Sequence, residues 1–345
     1  MSEQFSSESH PHPQLHRDPT EIAAALVEAL GRSVKGKSAQ IGLLVAGLLS
    51  GGHVLLEDLP GSGKTLLAKS LARATGGVVG RVQCTPELLP ADIVGTSVWQ
   101  PSSSQWQFHP GPVFANVLLV DEINRASPRA QAALLEPMEE RQVTVDGATY
   151  RLPDPFFCIA TQNPHGQVGT YPLPESQLDR FSLVFSLGWP DRDAAREILV
   201  GAGGVSQLPA VVAVTNPTEL ANCIAEVRQV HVAASLVDYL LTLVDATRHH
   251  RSIDVGVSPR VAASLLALAR AHAVVCGRDF VTPEDFQTVF GPACAHRVRL
   301  GATDGASAAP AAAGIAGVPE IVAPSFGAAW NVLMAVLASV PVPER

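Results

Sequence analysis

Lys64 and Thr65 follow Gly61-Ser62-Gly63 directly, at the point where the apolar run His53-Val54-Leu55-Leu56-Glu57 gives way to a helical pattern. A strand feeding a glycine-rich turn that opens a helix is the context a phosphate-binding loop requires. Small residues let backbone N–H groups turn inward onto phosphate oxygens, and the helix N-terminus adds its partial positive charge. In that setting Lys64 reaches the β- and γ-phosphates of a nucleotide, and the Thr65 hydroxyl is a ligand for Mg²⁺. Pro60, Gly61, Ser62, Gly63, Lys64, Thr65 and Leu66 form the expected cradle. Asp58 stands where the full pattern has its first glycine, a departure that needs a structural reason.

A second chemical signal lies downstream. Val117-Leu118-Leu119-Val120 ends in Asp121-Glu122. A buried parallel strand delivers such carboxylates to the carboxyl edge of its sheet, where ligands bind. Asp121 suits the coordination shell of Mg²⁺, and Glu122 suits a base that orients or deprotonates water. A third apolar run, Phe156-Phe157-Cys158-Ile159-Ala160, leads into Thr161-Gln162-Asn163-Pro164. That places Asn163 beside Glu122. On residue type alone, Asn163 is either an amide that holds a water or a turn-forming Asn before Pro.

The elements needed to position these groups are an alternation of strands and helices up to about residue 190. Strands are predicted at 53–57, 78–83, 117–120, 156–160 and 183–185, with helices at 64–75 and 128–141 between them. That rhythm implies an α/β fold with a parallel sheet flanked by helices. Helices near 19–30 and 38–50 precede it. Beyond Asp191 the periodicity is helical, at 193–200, 218–229, 233–248, 259–275 and 283–290. Ser258-Pro259 and Thr282-Pro283 supply a capping hydroxyl with Pro at the first helical position. The expected division is a tail over 1–18, an α/β nucleotide-binding core over 19–190, and a smaller all-helical domain over 191–345. An Ala/Gly/Pro-rich insertion interrupts the helical part at about 302–318.

Composition narrows the function classes. The chain has 345 residues, and 24 Lys and Arg against 32 Asp and Glu give a net charge of −8, a poor match for a general polyanion binder. Nucleic acid is therefore an unfavoured partner. The five cysteines, Cys84, Cys158, Cys223, Cys276 and Cys294, lack CxxC spacing and read as reduced core thiols of a cytoplasmic protein. The Ser-, His- and Pro-rich start has no apolar core and is not a signal peptide. The charge-free stretch 321–343 is interrupted by Pro324, Gly327 and Asn331, so a buried helix is expected there and no membrane span.

Taken together, these motifs resemble the MoxR family of AAA+ ATPases. The match runs from Phe114-Ala115-Asn116 through Asp121-Glu122-Ile123-Asn124-Arg125-Ala126-Ser127-Pro128, and again over Leu134-Leu135-Glu136 to Val145. Thr161-Gln162-Asn163-Pro164, Gly169 to Glu175 and Gln177-Leu178-Asp179-Arg180-Phe181 continue it, with weaker similarity through Ser258-Pro259-Arg260 to the C-terminal Pro341-Val342-Pro343. The resemblance implies a P-loop AAA+ core with a helical lid, and ATP and Mg²⁺ as cofactors. Asn163 is then the sensor 1 residue, Arg180 the arginine finger for a neighbouring subunit and Arg260 sensor 2 on the lid. It further implies a homo-oligomeric ring, a hexamer, acting on a protein client in a chaperone-like way. Its partner in such work carries a von Willebrand factor A domain. Magnesium-chelatase-type motor subunits share the architecture, as do hairpin-bearing DNA helicases. Hairpins are expected at 97–108 and 142–152, facing pore or substrate in related ATPases. The first contains no Lys or Arg, against the helicase alternative.

Overall fold

The computed structural model describes residues 17–58, 61–164, 169–201, 211–301 and 321–343. Pro60, nearly all of the 1–18 tail and the 302–318 insertion lie outside them. Along the chain, α1 (Pro19–Ser33) and α2 (Ser38–Leu49) precede β1 (Val54–Glu57), α3 (Lys64–Ala74) and β2 (Val79–Gln83). The short α4 (Pro90–Val94) leads into β3 (Gly95–Gln100) and β4 (Gln105–Pro110), then β5 (Val117–Asp121). Next come α5 (Pro128–Ala132), α6 (Leu135–Glu140), β6 (Gln142–Val145), β7 (Ala148–Arg151) and β8 (Phe157–Gln162). After α7 (Glu175–Leu178) and β9 (Leu183–Phe185), helices dominate: α8 (Arg192–Gly201), α9 (Pro217–Val227) and α10 (Ala234–His249). The short strand β10 (Ile253–Val255), α11 (Pro259–Val275), α12 (Pro283–Cys294), β11 (Arg299–Leu300) and α13 (Gly327–Ser339) complete the chain.

Five strands make one parallel sheet in the order β2-β5-β8-β1-β9. Every residue of β1, β5, β8 and β9 is buried, which is why these strands read as unbroken apolar runs. Edge strand β2 alternates exposed and buried. The carboxyl ends of β1, β5 and β8, adjacent in the sheet, therefore deliver the phosphate loop, Asp121-Glu122 and Asn163 to one edge. His53, just before β1, is buried between sheet and helices. Its Nδ1 accepts from the Cys158 amide (3.0 Å) and its Nε2 donates to the Met138 carbonyl (2.9 Å). Burial, against the pull of that carbonyl, holds its pKa down to about 4, so the ring stays neutral.

Two helices differ from expectation. The predicted helix over 128–141 is split into α5 and α6, because Pro137 has no N–H to offer the Ala133 carbonyl. A tighter turn bridges the break, with Ala133 N–H donating to Ala130 and Leu134 N–H to Gln131 (3.2 Å each). Conversely, α12 does not stop at Phe290 but runs through Pro292 to Cys294. Burial of Phe286, Val289, Phe290, Ala293 and Cys294 outweighs the bond that Pro292 cannot make. The expected helix starts hold: Ser258 caps α11 through its hydroxyl, and Asp285 accepts from the Thr282 amide at α12.

One buried cluster runs from α1 and α2 past β1 and β9 into α9, α10, α11, α12 and α13. The helix near the C-terminus is thus a packed one, and among the described residues no helix is long and apolar enough to cross a membrane. Both hairpins form, β3 with β4 and β6 with β7. Phe108 of the first stacks on Tyr150 of the second (4.1 Å between centroids), so the two hairpins are joined. Trp99 and Trp106 meet edge to face across the first hairpin, yet stay 45% and 69% exposed, so they pack on each other and not into the core.

Candidate active site

The loop between β1 and α3 turns on glycines in left-handed backbone. Gly61 has φ +91° and Gly63, which caps α3, has φ +95°. A Cβ at either would meet nothing, so glycine is required there for conformation and not for space. Asp58 has a clear role: its carboxylate accepts from the Ser186 hydroxyl and Leu187 amide (2.6 Å each) and the Gly188 amide (3.1 Å). The residue that departs from the loop pattern ties the start of the loop to the segment after β9.

Lys64 emerges in the first turn of α3 and donates to the Asp58 carbonyl at 2.5 Å. Burial lowers its pKa, opposed by the charges of Asp58, Glu122, Asp121 and Glu57. The four carboxylates favour its ammonium form, the form that pairs with a phosphate. Thr65 donates its hydroxyl to Asp121 Oδ1 (3.1 Å), joining α3 to the end of β5. Hard oxygen donors from a hydroxyl and a carboxylate thus converge, a set that fits Mg²⁺. Ser62 Oγ is buried without a partner among the described residues, as expected of a group awaiting a ligand.

Glu122 takes left-handed backbone (φ +55°) immediately after β5, a strained setting for a non-glycine residue. Its amide is fixed by the Thr161 hydroxyl (2.9 Å). Its carboxylate accepts from Asn163 Nδ2 (3.4 Å) through Oε1 and pairs with Arg125 (2.9 Å) through Oε2. The Asn163 carbonyl in turn accepts from Asn124 Nδ2 (3.0 Å). Residues 61–66, Asp121, Glu122, Thr161 and Asn163 line one cavity of about 350 Å³ together with Arg81 and Gln83. Arg81 pairs with Asp121 Oδ2 at 2.9 Å. Sequence reasoning did not find Arg81, Thr161 or Arg125. Arg81 reaches Asp121 only through the pairing of β2 with β5, which leaves no signal in residue spacing.

Arg180 and Arg260 do not line this cavity. They meet each other instead, 80 positions apart in sequence, on the carboxylate of Glu139 at the end of α6. Arg180 Nη2 lies 2.6 Å from Glu139 Oε2, and Arg260 Nη2 lies 3.1 Å from Oε1. The peptide carrying Arg180 is anchored from the helical part: buried Arg297 reaches the Asp179 carbonyl (2.8 Å) and carboxylate (3.1 Å). Glu139 is a further residue that sequence reasoning did not single out. An exposed bridge of this sort contributes under ~1 kcal/mol, so a stronger partner can break it.

Comparison with known proteins fits this arrangement. Residues 53–183 match the model of the ATPase family associated with various cellular activities (AAA), and residues 245–317 match the AAA lid domain. The chain is 42% identical over 274 residues to the uncharacterised YeaC of Bacillus subtilis, covering 79% of this chain and 86% of YeaC. It is 40% identical to Chaperone MoxR1 of Mycobacterium tuberculosis (78% and 73% covered) and 33% identical to Protein MoxR of Paracoccus denitrificans (79% and 87%). A crystal structure of a candidate ATPase from Cytophaga hutchinsonii superposes with a TM-score of 0.80 at 32% identity, covering 94% of this chain and 96% of that one. With a parallel sheet, an AAA core and an AAA lid in one chain, this protein belongs to the MoxR-type AAA+ ATPases.

Proposed function

We propose that this protein is a Mg²⁺-dependent ATPase that works as a homo-oligomeric ring, a hexamer, with each catalytic site completed by the neighbouring subunit. The carrying observation is the separation of two groups: Lys64, Thr65, Asp121, Glu122 and Asn163 share one cavity, while Arg180 and Arg260 sit together outside it. In this reading each place is half a site, and a head-to-tail contact between copies would join them.

In this reading the backbone of residues 61–66 cradles the phosphates and Lys64 faces the β- and γ-phosphates. Thr65 and Asp121 would hold Mg²⁺, which would supply charge neutralisation on the triphosphate. Glu122 accepts a proton from the attacking water, and Asn163, within hydrogen-bonding reach of the same carboxylate, orients it. Arg180 and Arg260 of the next subunit stabilise the charge that develops as the γ-phosphoryl transfers. ATP turnover then drives remodelling or maturation of a protein client in the cytoplasm, together with a partner that carries a von Willebrand factor A domain. The relative named Chaperone MoxR1 supports the client reading. The absence of Lys and Arg from β3 and β4 speaks against a nucleic-acid track.

The test is the dependence of turnover on protein concentration. Phosphate release per subunit should rise with concentration and level off where sedimentation shows rings, because a trans arginine contributes ~10³–10⁵ in rate. Constant turnover per subunit down to the monomer would reject the shared site.

Glu139 enters this scheme as a positioning residue, because it holds two like charges side by side. Glu139→Gln should lower kcat about tenfold through misplacement of the two guanidiniums. The KM for ATP should stay within about twofold, since Glu139 does not line the phosphate cavity. Steady-state kinetics on assembled protein checks the split.

A further inference from the structure

At the far end of α11 from Arg260 lies a cluster that the nucleotide site does not use. Against the expectation that all five cysteines are core thiols, Cys276 is exposed where α11 ends, beside exposed Gly277. One turn back, His272 places both ring nitrogens 3.9 Å from the Cys276 sulfur. His272 Nδ1 is 2.6 Å from Oδ1 of Asp285, which is fully buried at the start of α12. Arg278 forks onto the same carboxylate, Nη1 to Oδ2 (2.8 Å) and Nη2 to Oδ1 (2.7 Å), and Thr282 donates its amide (2.7 Å) and hydroxyl (3.1 Å) to Oδ2.

The order of these contacts is that of a thiol, an imidazole and an orienting buried carboxylate. The charged groups facing Cys276 are His272 on its own helix, Arg278 in the turn and Asp285 on α12. Burial opposes a charge on His272, but its hydrogen bonds to Asp285 and Cys276 prevail and raise its pKa to about 9, so the ring is cationic at neutral pH. The His272 hydrogen bond lowers the Cys276 pKa against burial and the charge of Asp285, with the charges of His272 and Arg278 acting in the same direction as the bond. The other four cysteines are buried, and burial raises Cys84, Cys223 and Cys294 to about 12. A metal is the rival occupant of a His-Cys-Asp group. It would have to displace the Arg278 fork and the Thr282 donors, which already take both oxygens of Asp285.

We propose that Cys276 is a peroxide-reactive modification site at the surface of the lid, its thiolate held by His272 and Arg278, which buried Asp285 orients. The thiolate attacks one oxygen of hydrogen peroxide; the S–O bond forms as the O–O bond breaks. Sulfur loses two electrons, and the departing hydroxide takes the His272 proton and leaves as water. The product is a sulfenic acid, with no exposed second cysteine among the described residues to form a disulfide with it, so it stays open to a small thiol.

The experiment uses the full chain and peptide mass spectrometry. Iodoacetamide labelling of Cys276 should show a pH midpoint below the ~8.5 of a free thiol. At pH 7 labelling should be about tenfold faster than in His272→Gln. After hydrogen peroxide, dimedone should mark Cys276 in the wild type and mark nothing in Cys276→Ser. His272→Gln also removes a partner of buried Asp285, so the wild-type pH profile and dimedone result stand as independent tests. A wild-type midpoint at or above ~8.5, or no dimedone adduct at Cys276, overturns the proposal. Protection of Cys276 from labelling by micromolar Zn²⁺ also overturns it and assigns a metal site.

Discussion

Glu122→Gln should bind ATP as tightly as the wild type and fail to turn it over, whereas Lys64→Ala should fail to bind. Glu122 occupies a backbone conformation fixed by the Thr161 hydroxyl on its amide, a contact that the substitution keeps. Gln can still accept from Asn163, so the cavity retains its shape. What is lost is the ability to accept a proton, worth ~10²–10⁴ in rate for a general base. Removing one of four carboxylates near Lys64 also leaves less negative charge facing the triphosphate. Lys64 differs because, in the proposed function, its ammonium acts on the bound phosphates themselves. Each charge-assisted hydrogen bond contributes ~1.5–3 kcal/mol, and with bonds to both the β- and γ-phosphates lost, nucleotide binding should weaken about a hundredfold or more. Titration with a fluorescent ATP analogue beside phosphate release distinguishes the two. Equal loss of affinity in both variants would contradict the separate roles.

The nucleotide half of the site was legible in the sequence because its signals are local. Gly61 to Thr65 and Val117 to Glu122 each sit on one strand end, and strands buried on both faces betray themselves as unbroken apolar runs. The position of Asn163 beside Glu122 followed from the same logic. Its role did not: residue type left a turn and a catalytic amide equally open, and only the family resemblance chose between them. Arg81, Thr161 and Glu139 were illegible for a different reason. Arg81 reaches Asp121 through the pairing of β2 with β5, and Thr161 reaches Glu122 across β8, registers that sequence spacing does not encode. Glu139 matters only because α6, the Arg180 loop and the start of α11 meet in space. Proline misled in both directions. Pro137 broke a helix expected to be continuous, and Pro292 lies inside a helix expected to end before it, where burial of its neighbours decides.

Arg180→Ala should be nearly dead in hydrolysis while its own phosphate loop binds ATP normally. The side chain lies outside its own cavity, on Glu139, and its backbone is braced by Arg297 from the lid. Among the described residues it touches, none is assigned to the phosphate loop. Its loss should therefore cost ~10³–10⁵ in kcat, with nucleotide affinity changed by less than about threefold. Arg260→Ala should shift the same parameter by less, since Arg260 approaches Glu139 at 3.1 Å from a more exposed position.

Mixing subunits tests the shared site most directly. Arg180→Ala supplies an intact Lys64 loop, and Lys64→Ala supplies an intact Arg180. In rings assembled from equal amounts, about a quarter of head-to-tail interfaces pair the two intact halves. Neither parent alone contains such an interface. The expected result is recovery of ATP hydrolysis on mixing, well above either inactive parent. A mixture that remains as inactive as its parents, with subunit exchange verified by a mass tag, would contradict a site built from two subunits.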